Sequence, residues 1–476
     1  MHRLLVSAAH KSSGKTTLSI GLVAALSERG HVVQPFKKGP DYIDPMWLAR
    51  AAGRPCFNLD PYLMNDAAIA AMFARETQGA DMALMEGNKG LYDGLALDGS
   101  NSNAAVARQL GLPVLLVIDA RGMTRGIAPL ILGYQAFDRQ VRIAGVVLNR
   151  LGGARHEAKL RAVIEHYTDV PVLGAVAEDA RLAMTERHLG LMPCAEVDDA
   201  QARVREIGRI IAAQVDMGRV EALAASAEPW PEIELAEQTT QVRKPDLRIG
   251  IARDRAFGFY YPDDLAALQA AGAELVPIDT LHDERLPAID GLFIGGGFPE
   301  TCMHELEANA SLRGELRQAI AAGLPVHAEC GGLMYLSRSI TWQGCTARMV
   351  GAIPGDAVMH AKPVGRGYVH LQETGAMPWG GGGAASDTAV LRGHEFHHSS
   401  LENLDPGVAF AYRVRRGHGV DGQHDGVLVH NVLASYAHLR SAAGSQWAPR
   451  FVEFVRAQRE GRTTAQASQQ AALCAP

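Results

Sequence analysis

Up to about residue 220 the hydrophobic positions fall in short, nearly unbroken runs: Arg3–Ser7, Met82–Met85, Val114–Ile118, Ile143–Leu148 and Val172–Ala175. A strand covered on both faces needs such a run, without polar alternation. Between the runs lie segments such as Thr17–Arg29 and Glu157–Tyr167, whose apolar residues recur at helical spacing. The alternation predicts a doubly wound parallel sheet with helices on both faces.

The pattern breaks between 224 and 246. Pro229, Pro231, Pro245 and the polar run Gln238–Gln241 predict a linker, with a long surface loop as the alternative. A second α/β pattern begins at Leu247–Ile251 and continues through Gly291–Ile294 and Pro325–Ala328, with strand-like segments near 350–371, 388–392 and 408–414. The Gly380–Gly383 run reads as a flexible loop, and the Gln-, Ala-, Arg- and Thr-rich end beyond about 455 as frayed or disordered. The expected domains are therefore 1–223, a linker over 224–246, 247–441, and a partly disordered tail over 442–476.

Composition narrows the functional class. The 476 residues are 47% hydrophobic and 21% charged, as in a soluble globular protein. A net charge of −6 argues against a general nucleic-acid binder, which needs a basic face. Cys56, Cys194, Cys302, Cys330, Cys345 and Cys474 form no C-x-x-C pair, so neither a zinc site nor a disulfide framework is expected. Leu4-Leu5-Val6 is too short for a secretory signal, and no apolar run is long enough to span a bilayer. The expectation is a cytoplasmic protein without membrane or nucleic-acid partners, with a homodimer left open.

Candidate chemistry appears in both halves. After the first apolar run comes Ala9-His10-Lys11-Ser12-Ser13-Gly14-Lys15-Thr16-Thr17, a P-loop with Ala9 in place of its first glycine. Small residues let backbone N–H groups face phosphate oxygens, and the following helix N-terminus adds partial positive charge. Lys15 would meet the β- and γ-phosphates, and the Thr16 hydroxyl would ligand Mg2+. Glu86, ending the Met82–Met85 run, is a second candidate metal ligand. Phe36–Pro45 reads as a loop in which Lys37, Asp41 and Asp44 could handle phosphate, carboxylate or Mg2+, though Gly39-Pro40-Asp41 is also a common turn.

In the second half, His327-Ala328-Glu329-Cys330-Gly331-Gly332 follows an apolar strand and reads as a nucleophile elbow, with Cys330 on a tight strand-to-helix turn. His438 is the candidate base, with His327, His394, His397 and His398 as competitors. The turn Gly295-Gly296-Gly297 could offer N–H groups to an oxyanion.

Together these stretches resemble the cobyrinic acid a,c-diamide synthase family over about residues 3 to 440. The likeness rests on Ser12–Thr17, Gly39–Pro45, Asn58-Leu59-Asp60, Glu86-Gly87, Gly90–Gly94, Gly145–Asn149, Gly295–Glu300, Glu329–Gly332 and Gly393–His397, in this order. It implies a dethiobiotin-synthetase-like P-loop domain followed by a class I, triad-type glutamine amidotransferase domain. Cys330 would form a γ-glutamyl thioester with help from His438. The glutamine pocket would include Gly296, Gly297 and Gly331. ATP would phosphorylate a carboxylate, and ammonia would displace the phosphate. Gly14, Lys15, Thr16, Thr17, Asp44 and Glu86 would hold MgATP, and Asn149 would contact the adenine. Lys37, Asp41, Asp93, Ser100 and Asn101 are candidates for the substrate carboxylates. The substrate implied is a cyclic tetrapyrrole amidated at its a and c acetates.

Two departures from the family pattern stand out. The stretch Gly99–Ala104 and the pair Asn88-Lys89 differ from the usual residues; read as facing the substrate, they suggest siroheme or nickel-sirohydrochlorin as alternatives. Arg440 replaces a histidine, and no acid follows His438, so a full Cys-His-Glu triad is not expected. Among rival readings, a partitioning-type P-loop ATPase would want a lysine at His10 and leaves Cys330 unexplained. Cobyric acid synthase, the nearer rival, fits the length and the Gly39–Pro45 stretch less well.

Overall fold

The protein is described by a computed structural model covering residues 1–187, 190–229, 243–379 and 390–473. The chain divides into two units, Met1–Glu237 and Gln238–Pro476.

In the first unit the apolar runs become parallel strands with almost wholly buried residues. They are β1 (His2–Ala8), β2 (Val33–Lys38), β3 (Phe57–Leu59), β4 (Met82–Glu86), β5 (Val114–Asp119), β6 (Ile143–Leu151) and β7 (Val172–Ala177). Their order is β3-β2-β4-β1-β5-β6-β7, with every pairing parallel. The neighbours of β1, β4 and β5, belong to the two opposite wings of the sheet. Their connections therefore part above its carboxyl end, where doubly wound sheets leave a crevice. Helix α1 (Lys15–Glu28) starts in that crevice. Only residues 39–42 of the Phe36–Pro45 stretch form a loop: Lys37 and Lys38 end β2, and Ile43–Ala52 is a helix that takes in Asp44. The sequence Val-Gln-Pro-Phe-Lys-Lys hides a buried strand because four of its six residues are polar or proline.

The second unit is built around a nine-stranded sheet. Ala273–Ile278, Leu247–Ala252, Gly291–Ile294, Val326–Glu329 and Val432–Ser435 run parallel, in that spatial order. The sheet continues antiparallel through His424–Val429, Ala409–Arg416, Gly365–Glu373 and Val390–His397. Apolar cores cover both of its faces.

The end of the chain differs from the expectation of a partly disordered tail. Trp447–Leu473 is a helix of 27 residues. Trp447, Phe451, Val452 and Val455 are buried in the second unit's core, at the i, i+4, i+5, i+8 spacing of one helical face. The Ala-, Gln- and Arg-rich sequence that follows has high helix propensity, so low hydrophobicity there does not mean disorder. The ends of the expected linker are anchored. Arg3 donates to the Glu228 carbonyl, and Arg456 forms a two-pronged ion pair with Asp246 at 2.9 and 3.0 Å. Residues 230–242 and the Gly380–Gly383 run lie outside the described residues. Among the described residues, no helix is long and apolar enough to cross a membrane.

Candidate active sites

The turn from β1 into α1 places Gly14 at φ +84°, and α1 has no side-chain cap on its first N–H groups. Those donors are what a phosphate would need. The loop carbonyls are tied from outside by Tyr134 on Ala9, Arg150 on Ser12 and Asn149 Nδ2 on Ser13, and from within by Ser13 Oγ on His10, at 2.5–2.8 Å. A β-carbon on Gly14 would meet Asn149 Nδ2 at 2.2 Å, so only glycine lets Asn149 approach this closely.

Three distant segments converge beside the loop. Thr16 Oγ1 donates to Glu86 Oε1 at 2.7 Å and to Asp44 Oδ2 at 3.2 Å. The buried Lys37 ammonium lies 2.5 Å from Asp44, 2.9 Å from Glu86 and 3.6 Å from Asp41. Burial alone would lower Lys37, but Asp44 and Glu86 hold it well above the usual lysine range. Burial and the nearby Asp44 push Asp41 up to about 7. Burial raises Glu86, and burial lowers Lys15 despite Glu86 beside it. Glu86 Oε2 is buried and has no hydrogen-bond partner among the described residues. A hydroxyl, two carboxylates and an orphaned oxygen suit Mg2+, which keeps several waters and takes phosphate oxygens for the rest of its shell.

Next to the P-loop is a cavity of about 400 Å³, lined by Gly14, Thr17, Asn149, Arg150, Arg121 and Glu178 among others. Asn149 Nδ2 is committed to Ser13, while its Oδ1 accepts no hydrogen bond among the described residues. At the end of β5, Asp119 binds Arg121 and Arg150, each at 2.8 Å. Burial would raise Asp119, but these arginines hold it at about 2. Sequence reading passed over this trio, although an acid at a β-strand end beside a P-loop was the signal that found Glu86.

The expected substrate residues are divided. Ser100 and Asp93 are exposed, and Asp93 Oδ2 accepts from Gly90 N–H at 2.9 Å. Asn101 and Asn103 are turned inward. Asn101 Oδ1 accepts from Leu95 and Ala96 N–H. Asn103 is fully buried: its Nδ2 reaches Ser7 Oγ and the Asn88 and Gly90 carbonyls at 2.7–3.1 Å, and its Oδ1 accepts from Asn88 N–H at 2.9 Å. Ser102 caps the helix Asn103–Gln109. Asn101, Ser102 and Asn103, within the departing stretch Gly99–Ala104, thus make hydrogen bonds within the loop itself.

In the second unit, Cys330 joins the strand Val326–Glu329 to the helix Gly331–Leu336 with φ 49° and ψ −101°. A non-glycine residue at positive φ stores strain that the surrounding packing must hold, as nucleophile elbows do. The glycines explain how the packing closes. A β-carbon on Gly296 would come within 2.8 Å of His438 Cε1, and one on Gly331 within 3.0 Å of Gly297 N.

His438 hydrogen-bonds Cys330, and its Nδ1 lies 3.0 Å from Glu329 Oε2. With Nδ1 on the carboxylate, Nε2 is the nitrogen left for the sulfur. A third acid is therefore present, contrary to the sequence expectation. It comes from the residue before the nucleophile instead of from beyond the histidine. Burial pulls His438 down, but its hydrogen bonds with Cys330 and Glu329 outweigh this and push it up to about 10. Burial would raise Glu329, but hydrogen bonds from His327 and His438 hold it at about 2.

The other histidines sort by position. His394 stacks on His438, with ring centroids 4.9 Å apart, and burial and that neighbour keep it well below its usual range. His397 stacks on Tyr436, and His398 Nδ1 contacts the His360 carbonyl. Arg440 is buried in a two-pronged ion pair with Asp263, both contacts at 3.0 Å.

Comparison with known proteins finds a match for each half of the chain. Residues 248–445 match the CobB/CobQ-like glutamine amidotransferase domain, and residues 2–185 match an AAA domain. A protein of Magnetococcus marinus named cobyrinate a,c-diamide synthase is 46% identical, over 95% of this chain and 97% of its own. Proteins of the same name from Methanosarcina acetivorans and Archaeoglobus fulgidus are 42% and 39% identical, each over 95% of this chain and over 95% and 97% of their own. The chain belongs to the cobyrinate a,c-diamide synthase family.

Membership in the a,c-diamide synthase family makes the chain an ATP-using carbon–nitrogen ligase that takes its nitrogen from glutamine. For such an enzyme the Glu329 contact has a measurable consequence. Glu329→Gln keeps the shape but removes the charge that raises His438. Glutamine hydrolysis should fall on the order of 10²-fold, while amidation from added ammonium is retained. A glutaminase assay beside an ammonium assay checks this; equal activity of variant and wild type with glutamine would deny Glu329 its part.

Proposed function

We propose that this enzyme amidates the a and c acetate side chains of cobyrinic acid, using ATP and glutamine. The observation that supports the reading is that one chain brings together two chemically different clusters, Thr16 with Asp44 and Glu86, and Cys330 with His438 and Glu329. One suits phosphoryl transfer and the other thiol attack on an amide.

In the second unit, Cys330 gives its proton to His438 and attacks the glutamine side-chain carbonyl. Its strained turn exposes the sulfur, and Glu329 steadies the imidazolium that forms. Backbone N–H groups around Gly296, Gly297 and Gly331 would meet the oxyanion. Ammonia leaves with the proton returned by His438, and water then releases glutamate from the thioester.

In the first unit, a carboxylate must be made electrophilic before ammonia can displace anything from it. ATP does this by transferring its γ-phosphoryl group to a carboxylate oxygen, giving an acyl phosphate and ADP. Lys15 and the uncapped N–H groups of α1 bind the phosphates. Thr16, Asp44 and Glu86 would hold Mg2+, which neutralises phosphate charge when bound. The cavity beside Asn149 suits the base, whose amino group Asn149 Oδ1 could accept. Lys37 and Asp41 stand next to the carboxylate cluster and are the residues we assign to the incoming acetate.

Mass spectrometry of products tests the substrate. The enzyme is incubated with glutamine, ATP and Mg2+ and, in parallel, cobyrinic acid, siroheme or nickel-sirohydrochlorin. We expect two OH-to-NH2 mass changes on cobyrinic acid. Amidation of siroheme or nickel-sirohydrochlorin in its place would assign the same chemistry to a different macrocycle. No amidation of any of them would overturn the tetrapyrrole reading.

A further inference from the structure

We infer that His327 is a positioning residue of the glutamine-hydrolysing site: its Nε2–H holds Glu329 Oε1, so that Oε2 stays on His438. The inference rests on the proposed role of Cys330 and extends the array by one member behind the carboxylate.

His327 lies on the strand that ends in Glu329, two residues away, so both side chains project to the same face. The imidazole is fully buried. It stacks on Phe293 with centroids 5.2 Å apart and 14° between planes. Trp447 stands at 4.7 Å and Trp379 at 5.0 Å. Within this aromatic box, Nδ1 has no hydrogen-bond partner among the described residues. Nε2 lies 3.3 Å from Glu329 Oε1. A buried N–H left without an acceptor is costly, whereas a bare ring nitrogen costs less. The proton therefore belongs on Nε2, the one nitrogen with an acceptor.

The Glu329 carboxylate is then held at both oxygens. Oε1 accepts from Leu439 N–H at 3.1 Å and from His327, and Oε2 meets His438 Nδ1 at 3.0 Å. Without His327, Oε1 would keep a single backbone donor, and the carboxylate could rotate away from His438. The C-terminal helix contributes to this box: Trp447 and Phe451 wall the ring, whose hydrogen-bond partner among the described residues is Glu329. Other titratable groups near Glu329 are Cys330 on its own strand end, His394 beside His438, Asp264 on the helix Pro262–Ala270, and Tyr260 and Tyr412. Among the side chains of the described residues, His327 and His438 alone hydrogen-bond the carboxylate.

The test compares His327→Phe, His327→Gln and His327→Asn in the full-length enzyme, by glutaminase kinetics across pH. Phenylalanine fills the box without a donor. Glutamine can place an amide N–H near the position of Nε2, whereas asparagine's lies nearer that of Nδ1, away from Glu329. We expect His327→Phe and His327→Asn to lower kcat for glutamine by about 10-fold or more, with KM near wild type. Loss of the donor raises the Glu329 carboxyl, so the acidic limb should move to higher pH. His327→Gln should restore most of kcat and the limb. Wild-type kinetics in His327→Phe would overturn the inference. So would equal loss in His327→Gln and His327→Asn, since the ring's packing would then be what matters. If His327→Phe does not fold, the glutamine and asparagine variants decide by themselves. Cys330→Ala run in parallel separates the two failures: retained glutaminase there defeats the underlying reading, not the role of His327 alone.

Discussion

Cys330→Ala is expected to abolish amidation from glutamine and to leave amidation from ammonium salts close to wild type. The sulfur is the only group at the elbow able to form the thioester. Cys330 is held at φ 49° against His438, and Glu329 backs that histidine. Alanine removes the nucleophile but leaves the strand, the turn and the glycine packing in place. Groups that act as one unit in nucleophilic catalysis lose roughly 10⁴–10⁶-fold when the nucleophile goes. Ammonia supplied from solution bypasses this step, because the first unit's chemistry does not use the thiol. Equal loss with both nitrogen sources would contradict the division of labour between the two sites.

Lys15→Ala is expected to abolish amidation from either nitrogen source while sparing glutamine hydrolysis. Lys15 is buried at the start of α1, beside Glu86 and Asp44. It is the lysine of the Gly14-Lys15-Thr16 motif, and the neighbouring residues of the helix start, Thr16 and Thr17, carry no charge to replace it. Removing one such preorganised charge costs about 10²–10³-fold in turnover. The fall should be the same with glutamine and with ammonium, since both routes need the activated carboxylate. Near-normal turnover in this variant would remove the P-loop from the mechanism.

The sequence showed most readily what depends on local pattern. Largely apolar runs marked β1, β4, β5, β6 and β7, because a strand covered on both faces is built mostly from apolar residues. The P-loop and the elbow around Cys330 were legible because small residues must occur there at fixed spacing. What depends on long-range convergence was not legible. Strand β2 reads as a loop, since Lys37 and Lys38 are buried against acids more distant in sequence. Glu329 was overlooked as His438's partner, because a search for an acid after the histidine cannot see one that pairs across neighbouring strands. The hydrogen bonds that Asn101 and Asn103 make within their own loop could not be read from the sequence either. The C-terminal helix was missed because its apolar face is confined to its first turns.

The most direct test of the central claim, that ATP activates a carboxylate for attack by ammonia, follows oxygen. Cobyrinic acid with heavy oxygen in its acetate carboxylates is turned over with glutamine and ATP, and the phosphate-containing products are analysed by mass spectrometry. The account predicts one heavy oxygen in inorganic phosphate for every amide formed, with ADP as the other product. Unlabelled phosphate, or heavy oxygen in AMP, would contradict it.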